Sequence, residues 1–252
     1  MPAAKPDPPS QQAAAAAGQE AVDWQFAFER SEVMRAFQQE LLVSIGHELR
    51  NPLSSQMGSL QLVLSDLCDS REEEREYLQS AKEAVERLIK LLEEYTRLAR
   101  HDLPIQPLRP AAIRLRPLLQ DVHSLTRLQA QDQGIRYDWP ALQPSLPDDL
   151  TVWADPHGLV QALLGVCRWG IRTLCYGSMA LRTYPAAEGQ LCLEWNLEGR
   201  CRMPIQPHLE AAWRVSERLL REMGGDLELC ESSLYRLGIR VTLRLPGESQ
   251  NR

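Results

Sequence analysis

The sequence lacks the features that define several simple functional classes. No run of apolar residues approaches the roughly 20 that a membrane-spanning helix needs. No basic stripe offsets the net charge of −6, which argues against general nucleic-acid binding. The six cysteines form no CxxC pair and have no metal-ligand spacing, which indicates reduced thiols. We therefore expect a soluble cytoplasmic protein without membrane insertion and without a nucleic-acid partner.

The chain is long enough for one or two domains with a substantial core, since it has 252 residues, of which 44% are hydrophobic. Its N-terminus is rich in proline, glutamine and alanine and has no bulky apolar anchors. This composition predicts a disordered tail over residues 1–22. Proline also interrupts the apolar core that a signal peptide would require.

Two long helices follow, joined by a short turn, over residues 23–103. Ser70 and Glu73 have the spacing of a capping box at the start of the second helix. Each helix has an apolar stripe, and the stripe left over after pairing predicts a homodimer with a four-helix bundle. In the first helix the stripe is Leu42, Ile45, Leu49, Leu53, Met57, Leu60, Leu64 and Leu67; in the second it is Tyr77, Ala81, Ala84, Leu88, Leu91, Tyr95 and Leu98.

His47 is placed on the opposite side of the first helix from this stripe. It lies two residues from Ile45 and two from Leu49, so it is turned about 200° from each. A histidine on the exposed face, followed at once by Glu48, is positioned to react rather than to pack. The sequence therefore marks His47 as the candidate reactive residue.

Prolines predict a linker over residues 104–117, because Pro104, Pro107, Pro110 and Pro117 cannot continue a helix. A mixed pattern follows over residues 118–247. It predicts helices over 118–131, after Asp155-Pro156 and over 209–223, and strands over 135–139, 150–153, 191–197, 227–229 and 237–245. We expect helices packed on one face of a mixed sheet, an α+β sandwich.

The stretch Ser44–Leu53 reads SIGHELRNPL and resembles the phospho-acceptor motif of two-component sensor histidine kinases. The predicted hairpin resembles their dimerisation domain. Residues 118–247 resemble their catalytic ATP-binding domain, through the segments that begin at Val152, Leu220 and Val241. The fold that this resemblance implies is a helical hairpin followed by a histidine-kinase-type ATPase-like α/β sandwich.

The sequence departs from that family at the nucleotide site. Gly165 and Trp169 fall where the family has asparagines, and only Arg172 keeps a basic residue near its expected place. The family's DxGxG motif has no counterpart in residues 195–201, and residues 207–213 lack the glycines of a lid that covers phosphate. These departures predict a degenerate ATPase-like domain that has lost its ATP site and its Mg²⁺ ligand.

The resemblance assigns roles around the histidine. It implies that His47 attacks phosphorus through Nε2, while Glu48 accepts a hydrogen bond from Nδ1–H. Asn51, one helical turn further on, would orient water for dephosphorylation of a response regulator. Arg50 would steer the acidic site of that partner.

Three functions are compatible with these residues. The favoured one is a dimeric histidine phosphotransferase that exchanges phosphate between His47 and aspartates of response regulator receiver domains, with no cofactor. The alternatives are an ATP- and Mg²⁺-dependent sensor histidine kinase with a diverged nucleotide site, and a non-catalytic pseudokinase scaffold. A separate sensor protein could supply the input signal.

Overall fold

A computed structural model of the chain describes residues 11–99, 107–139, 147–186 and 189–247. In the first of these ranges, the side chains are described for residues 23–93. None of the described helices is long and apolar enough to cross a membrane. The helices are α1 (Gln11–Leu64), α2 (Arg71–Ala99), α3 (Leu115–Asp132), α4 (Pro156–Thr173) and α5 (Ala211–Glu222), and the strands are β1 (Ala111–Arg114), β2 (Ile135–Asp138), β3 (Thr151–Ala154), β4 (Leu174–Pro185), β5 (Gln190–Cys201), β6 (Asp226–Ser232) and β7 (Arg236–Arg244).

Helices α1 and α2 form the predicted hairpin. The Oγ atom of Ser70 accepts a hydrogen bond from the Glu73 N–H at 3.1 Å, which confirms the N-cap. The Glu73 carboxylate accepts from the N–H of Asp69 at 2.7 Å, one residue before the expected donor. The second helix begins where its capping residues predicted.

Part of the segment predicted to be a disordered tail is helical. Helix α1 begins at Gln11, twelve residues before the expected start, so residues 11–22 are helical. The run Ala13–Ala17 accounts for the difference, because alanine has the highest helix propensity. Residues 1–10 lie outside the described residues.

The predicted linker over residues 104–117 is wrong for its second half. Residues 111–114 form β1, which pairs antiparallel with β3. Helix α3 then begins at Leu115, with Pro117 in its first turn. Proline is tolerated there because the first N–H groups of a helix have no partner within that helix.

A five-stranded mixed sheet has the order β2-β4-β5-β7-β6. The pair β2 and β4 is parallel and the other three pairs are antiparallel. Buried residues alternate along β5 and β7, so one face of the sheet is covered. On that face α4 lies against β4 and β5, with Gly170 in close contact with Met179 and Leu197. The predicted sandwich of helices on one face of a mixed sheet is confirmed.

Strand β4 is absent from the predicted elements. Its buried positions include Leu174, Met179 and Leu181. A register shift between Leu174 and Tyr176 breaks the alternation that would have identified a strand.

The end of α5 lies where its glycines predicted. Gly224 has a φ of +77°, and the N–H of Gly225 donates to the Leu220 carbonyl at 2.9 Å, which closes a Schellman motif.

Candidate phospho-acceptor site

His47 is exposed on α1, as its position in the helical pattern predicted. Ser44, one turn before it, is buried, and Ile45 and Leu49 on either side are half-buried. The helix continues without interruption through Pro52 to Leu64. The imidazole is therefore held on a continuous helix and is accessible to a partner.

Arg50 makes the hydrogen-bond contact to the imidazole. One guanidinium nitrogen of Arg50 lies 3.4 Å from Nδ1 of His47. A guanidinium has donors and no acceptor, so in this contact Nδ1 must accept. The neutral ring then carries its proton on Nε2. The resemblance assigned the Nδ1 contact to Glu48, and that role remains a prediction.

Glu48 and Asn51 line a cleft of about 540 Å³ between the hairpin and α3. Helix α2 contributes Arg87 and Lys90 to its wall, and α3 contributes Arg127. The acidic side chain that follows His47 therefore faces three cations. These cations were not among the predicted site residues, although the i, i+3 spacing of Arg87 and Lys90 places both on one face of α2.

Arg168 of α4 anchors the phospho-acceptor helix to the second half of the chain. Its guanidinium donates to both carboxylate oxygens of Glu40, at 2.5 and 2.6 Å, and to the carbonyl of Val33 at 3.1 Å. The Arg168 side chain is only 6% exposed. Glu40 lies seven residues before His47, two turns earlier on the same side of the helix.

Additional contacts attach the N-terminal part of α1 to α4 and α5. The Arg30 guanidinium donates to the Gln161 side chain at 2.5 Å, and burial lowers the pKa of Arg30. Arg218 lies 3.9 Å above the ring of Phe26 and donates to Asp23 at 2.7 Å. Two further α1 side chains, Met34 and Phe37, are buried in the core.

Helices α4 and α5 are in direct contact at the two positions where the family has asparagines. A Cβ atom on Gly165 would lie 2.1 Å from the Oγ of Ser216 and 3.0 Å from the Ala212 carbonyl oxygen, so no larger residue fits without movement. Trp169 packs edge-on against Trp213, with ring centroids 4.7 Å apart. At these two positions, side chains fill the space between the helices.

Asp155 has a structural role at the start of α4. Its carboxylate accepts hydrogen bonds from the N–H of Gly158 at 2.6 Å and of Arg109 at 3.0 Å. It therefore caps the helix and holds the segment before β1 in place.

Over the described ranges, no grouping of His, Cys, Asp or Glu could hold a metal ion. The six cysteines are free thiols, as predicted.

Residues 37–104 match the sequence profile of the His Kinase A (phospho-acceptor) domain. This part of the chain is therefore histidine-kinase-like, and it contains the motif around His47. The resemblance inferred from that motif is confirmed here. No curated protein matches the sequence significantly.

Solved structures similar to the chain include three histidine kinase structures of low sequence identity. The histidine kinase AdeS of Acinetobacter baumannii is 15% identical, with a TM-score of 0.45, over 80% of this chain and 98% of that chain. Full-length ShkA in complex with AMPPNP is 19% identical, with a TM-score of 0.45, over 83% of this chain and 46% of that chain. The catalytic domain of the histidine kinase ThkA is 13% identical, with a TM-score of 0.45, over 54% of this chain and 95% of that chain.

Proposed function

We propose that the chain carries phosphate on His47 and exchanges it with aspartates of response regulator receiver domains, without ATP. The observation that carries the proposal is the exposed imidazole within a matched phospho-acceptor domain. Phospho-acceptor domains of this family dimerise and pass phosphate to response regulators. We assign this function to residues 23–103 and an ATPase-like fold to the domain that follows.

The transfer would form one bond at the histidine and break one at the aspartate. Nε2 of His47 attacks the phosphorus of an aspartyl phosphate, and the aspartate leaves as a carboxylate. The attack needs Nε2 unprotonated, so the ring must leave the Arg50 contact and carry its proton on Nδ1. Glu48 would then stabilise that tautomer by accepting from Nδ1–H. The reverse transfer regenerates the aspartyl phosphate.

The contacts between α4 and α5 support a function without ATP. The family has asparagines at two positions, the second of which holds the Mg²⁺ bound to ATP. Here the chain has Gly165 and Trp169, which pack against Ser216 and Trp213. Neither position offers a side-chain oxygen ligand for Mg²⁺. These residues do not fit the nucleotide and its metal.

The anchored position of α1 supports the same proposal. A kinase has to bring the γ-phosphate of its nucleotide to the histidine, at contact distance. Here Arg168 is bound to Glu40 in a bidentate pair. Such a pair would resist the separation of α4 from α1 that this movement requires.

Exposed apolar side chains on both helices of the hairpin support the proposed homodimer. Apolar side chains that stay exposed on a helical pair are typical of a surface that a second copy covers. The exposed residues are Leu42, Val43, Leu53, Met57 and Leu64 of α1, and Leu78, Ile89 and Leu92 of α2.

Two labelling reactions test the proposal. A receiver domain phosphorylated on its aspartate should transfer label to the wild-type chain and not to the His47→Gln variant. The product should be labile in acid, as a phosphoramidate is. Incubation of the chain with labelled ATP and Mg²⁺ should give no label on His47. Rapid labelling by ATP would identify a kinase instead, and no transfer in either reaction would indicate a scaffold.

A further inference from the structure

Two cysteines lie opposite each other where β4 begins and β5 ends. Tyr176 of β4 pairs with Arg200 of β5, and the same register continues to the far end of the two strands. Extended by one residue in the other direction, this register places Cys175 opposite Cys201. A bulge at this point also pairs Leu174 with Cys201, so two successive residues of β4 oppose a single cysteine of β5.

Backbone pairing holds the two chain segments together on both sides of these cysteines. The N–H of Arg202 donates to the carbonyl of Thr173 at 2.8 Å on one side, and the pair Tyr176–Arg200 lies on the other. Opposed residues of antiparallel strands have Cα atoms about 4.5–5.5 Å apart. Disulfides join Cα atoms about 4.4–6.8 Å apart, so the strand pairing already brings the two thiols into the range of a disulfide.

The two thiols have different environments. Cys175 is exposed, whereas Cys201 is only 2% exposed. Burial raises the pKa of Cys201, and the thiol of Cys175 beside it adds to the increase. An oxidant in solution therefore meets Cys175 first, and Cys201 is placed to react with the product.

We propose that Cys175 and Cys201 form a thiol pair that a peroxide converts to a disulfide. The sulfur of Cys175 attacks one peroxide oxygen, the O–O bond breaks, and a sulfenic acid and one water form. The sulfur of Cys201 then attacks that of Cys175, the S–O bond breaks, and a second water leaves. Two thiols lose two electrons and two protons, and the peroxide is reduced to two waters. The reaction does not depend on the phosphate-carrier function proposed for His47.

The disulfide would join the strand that follows α4 to the strand that precedes α5. It would close a loop from residue 175 to residue 201, which restricts the unfolded chain and stabilises the folded domain. Helix α4 also carries Arg168, which is bound to Glu40 of α1. Oxidation would therefore restrain the end of the helix that supports the phospho-acceptor helix.

Peptide mapping of the full chain by mass spectrometry tests the pair. The reduced protein is treated with a small excess of hydrogen peroxide, the remaining thiols are blocked with N-ethylmaleimide, and the chain is digested with trypsin. Cleavage after Arg182 and Arg200 separates Cys175, Cys192 and Cys201 from one another. We expect one cross-linked peptide pair that contains Cys175 and Cys201, is lighter by two hydrogen atoms than its parts, and is cleaved by dithiothreitol.

Variants of single cysteines show whether the pairing is specific. Cys175→Ser and Cys201→Ala should each abolish the cross-link; alanine is used at the second position because it is buried. Cys230→Ser is the matched control and should form the cross-link as the wild type does. Cys230 is also exposed at a bulge, in β6, but its sulfur faces Gly238. Circular dichroism would establish that each variant is folded.

Urea denaturation gives a second measurement. The oxidised wild type should unfold at a higher urea concentration than the reduced protein, and this difference should disappear in Cys175→Ser. An oxidised protein that unfolds at the same or a lower concentration would contradict the proposed placement of the thiols.

Three results of the peptide mapping would overturn the proposal. Accumulation of sulfinic acid at Cys175, with Cys201 blocked by maleimide, would mean that the two thiols do not meet. A link between Cys175 of two copies, seen as a dimer on a non-reducing gel, would mean a contact between molecules. A cross-link that forms only after denaturation in urea would mean random pairing of the unfolded chain.

Discussion

The guanidinium of Arg50 lies 3.4 Å from Nδ1 of His47 and can only donate to it. The contact favours the tautomer in which Nε2 carries the proton and cannot attack phosphorus. For the proposed phosphotransfer, the exposed histidine would first have to leave this arrangement. A partner that draws Arg50 away, for example with the acidic site of a receiver domain, would release the ring for reaction.

Replacement of Arg50 by alanine should therefore shift the tautomers of His47. A net hydrogen bond of about 1 kcal/mol corresponds to a roughly fivefold change in their ratio. Nitrogen-15 NMR of the imidazole at neutral pH, which distinguishes the protonated nitrogen, would measure this shift toward Nδ1–H. Arg75→Ala, on an exposed turn of α2, is the control and should leave the ratio unchanged. An unchanged ratio in Arg50→Ala would exclude this contact as the determinant of the tautomer.

Loss of the Glu40 carboxylate should destabilise the protein, because it leaves the guanidinium of Arg168 buried without its counter-ion. We expect Glu40→Gln to lower the free energy of unfolding by about 1–3 kcal/mol. Glu32→Gln removes an ion pair with Arg35 that is exposed on the same helix, and it should cost less than about 0.5 kcal/mol. Urea denaturation of both variants gives the comparison. Equal effects would show that the anchor contributes no more than a surface pair.

Any side chain at Gly165 should push α5 away from α4. Gly165→Ala places its methyl group 2.1 Å from the Ser216 Oγ, and we expect a loss of about 1–3 kcal/mol in thermal unfolding. Gly58→Ala is the matched control in α1, where nothing lies within 4 Å of the added Cβ atom. It should stabilise the helix by roughly 1 kcal/mol. A neutral Gly165→Ala would mean that the two helices are free to separate, and a nucleotide could then enter between them.

The exposed apolar stripe of the hairpin should determine the oligomeric state. Leu53→Glu puts a charge into the proposed dimer surface, where it would be buried without a partner, and should give a monomer in sedimentation velocity. Gln61→Glu makes the same charge change on an exposed polar position of α1 and should leave the dimer intact. A wild-type monomer at micromolar concentration would rule out the proposed bundle.

The local patterns predicted the elements that depend on a single segment. The capping residues at Ser70, the glycines after α5 and the alternation along β5 all lie where the sequence placed them. Strand β4 was missed because its register shift removes the period-two signal. The alanine run was assigned to the tail on composition, although its helix propensity favoured extension of α1.

The sequence alone determined the candidate histidine and its exposed position, the hairpin that presents it and the class of the second domain, because these follow from spacing along one chain. Only the tertiary structure decided what surrounds them. Arg168 reaches Glu40 across 128 positions, and Gly165 meets Ser216 across the helical layer. Contacts between segments so far apart depend on how the helices pack, and no local pattern encodes them.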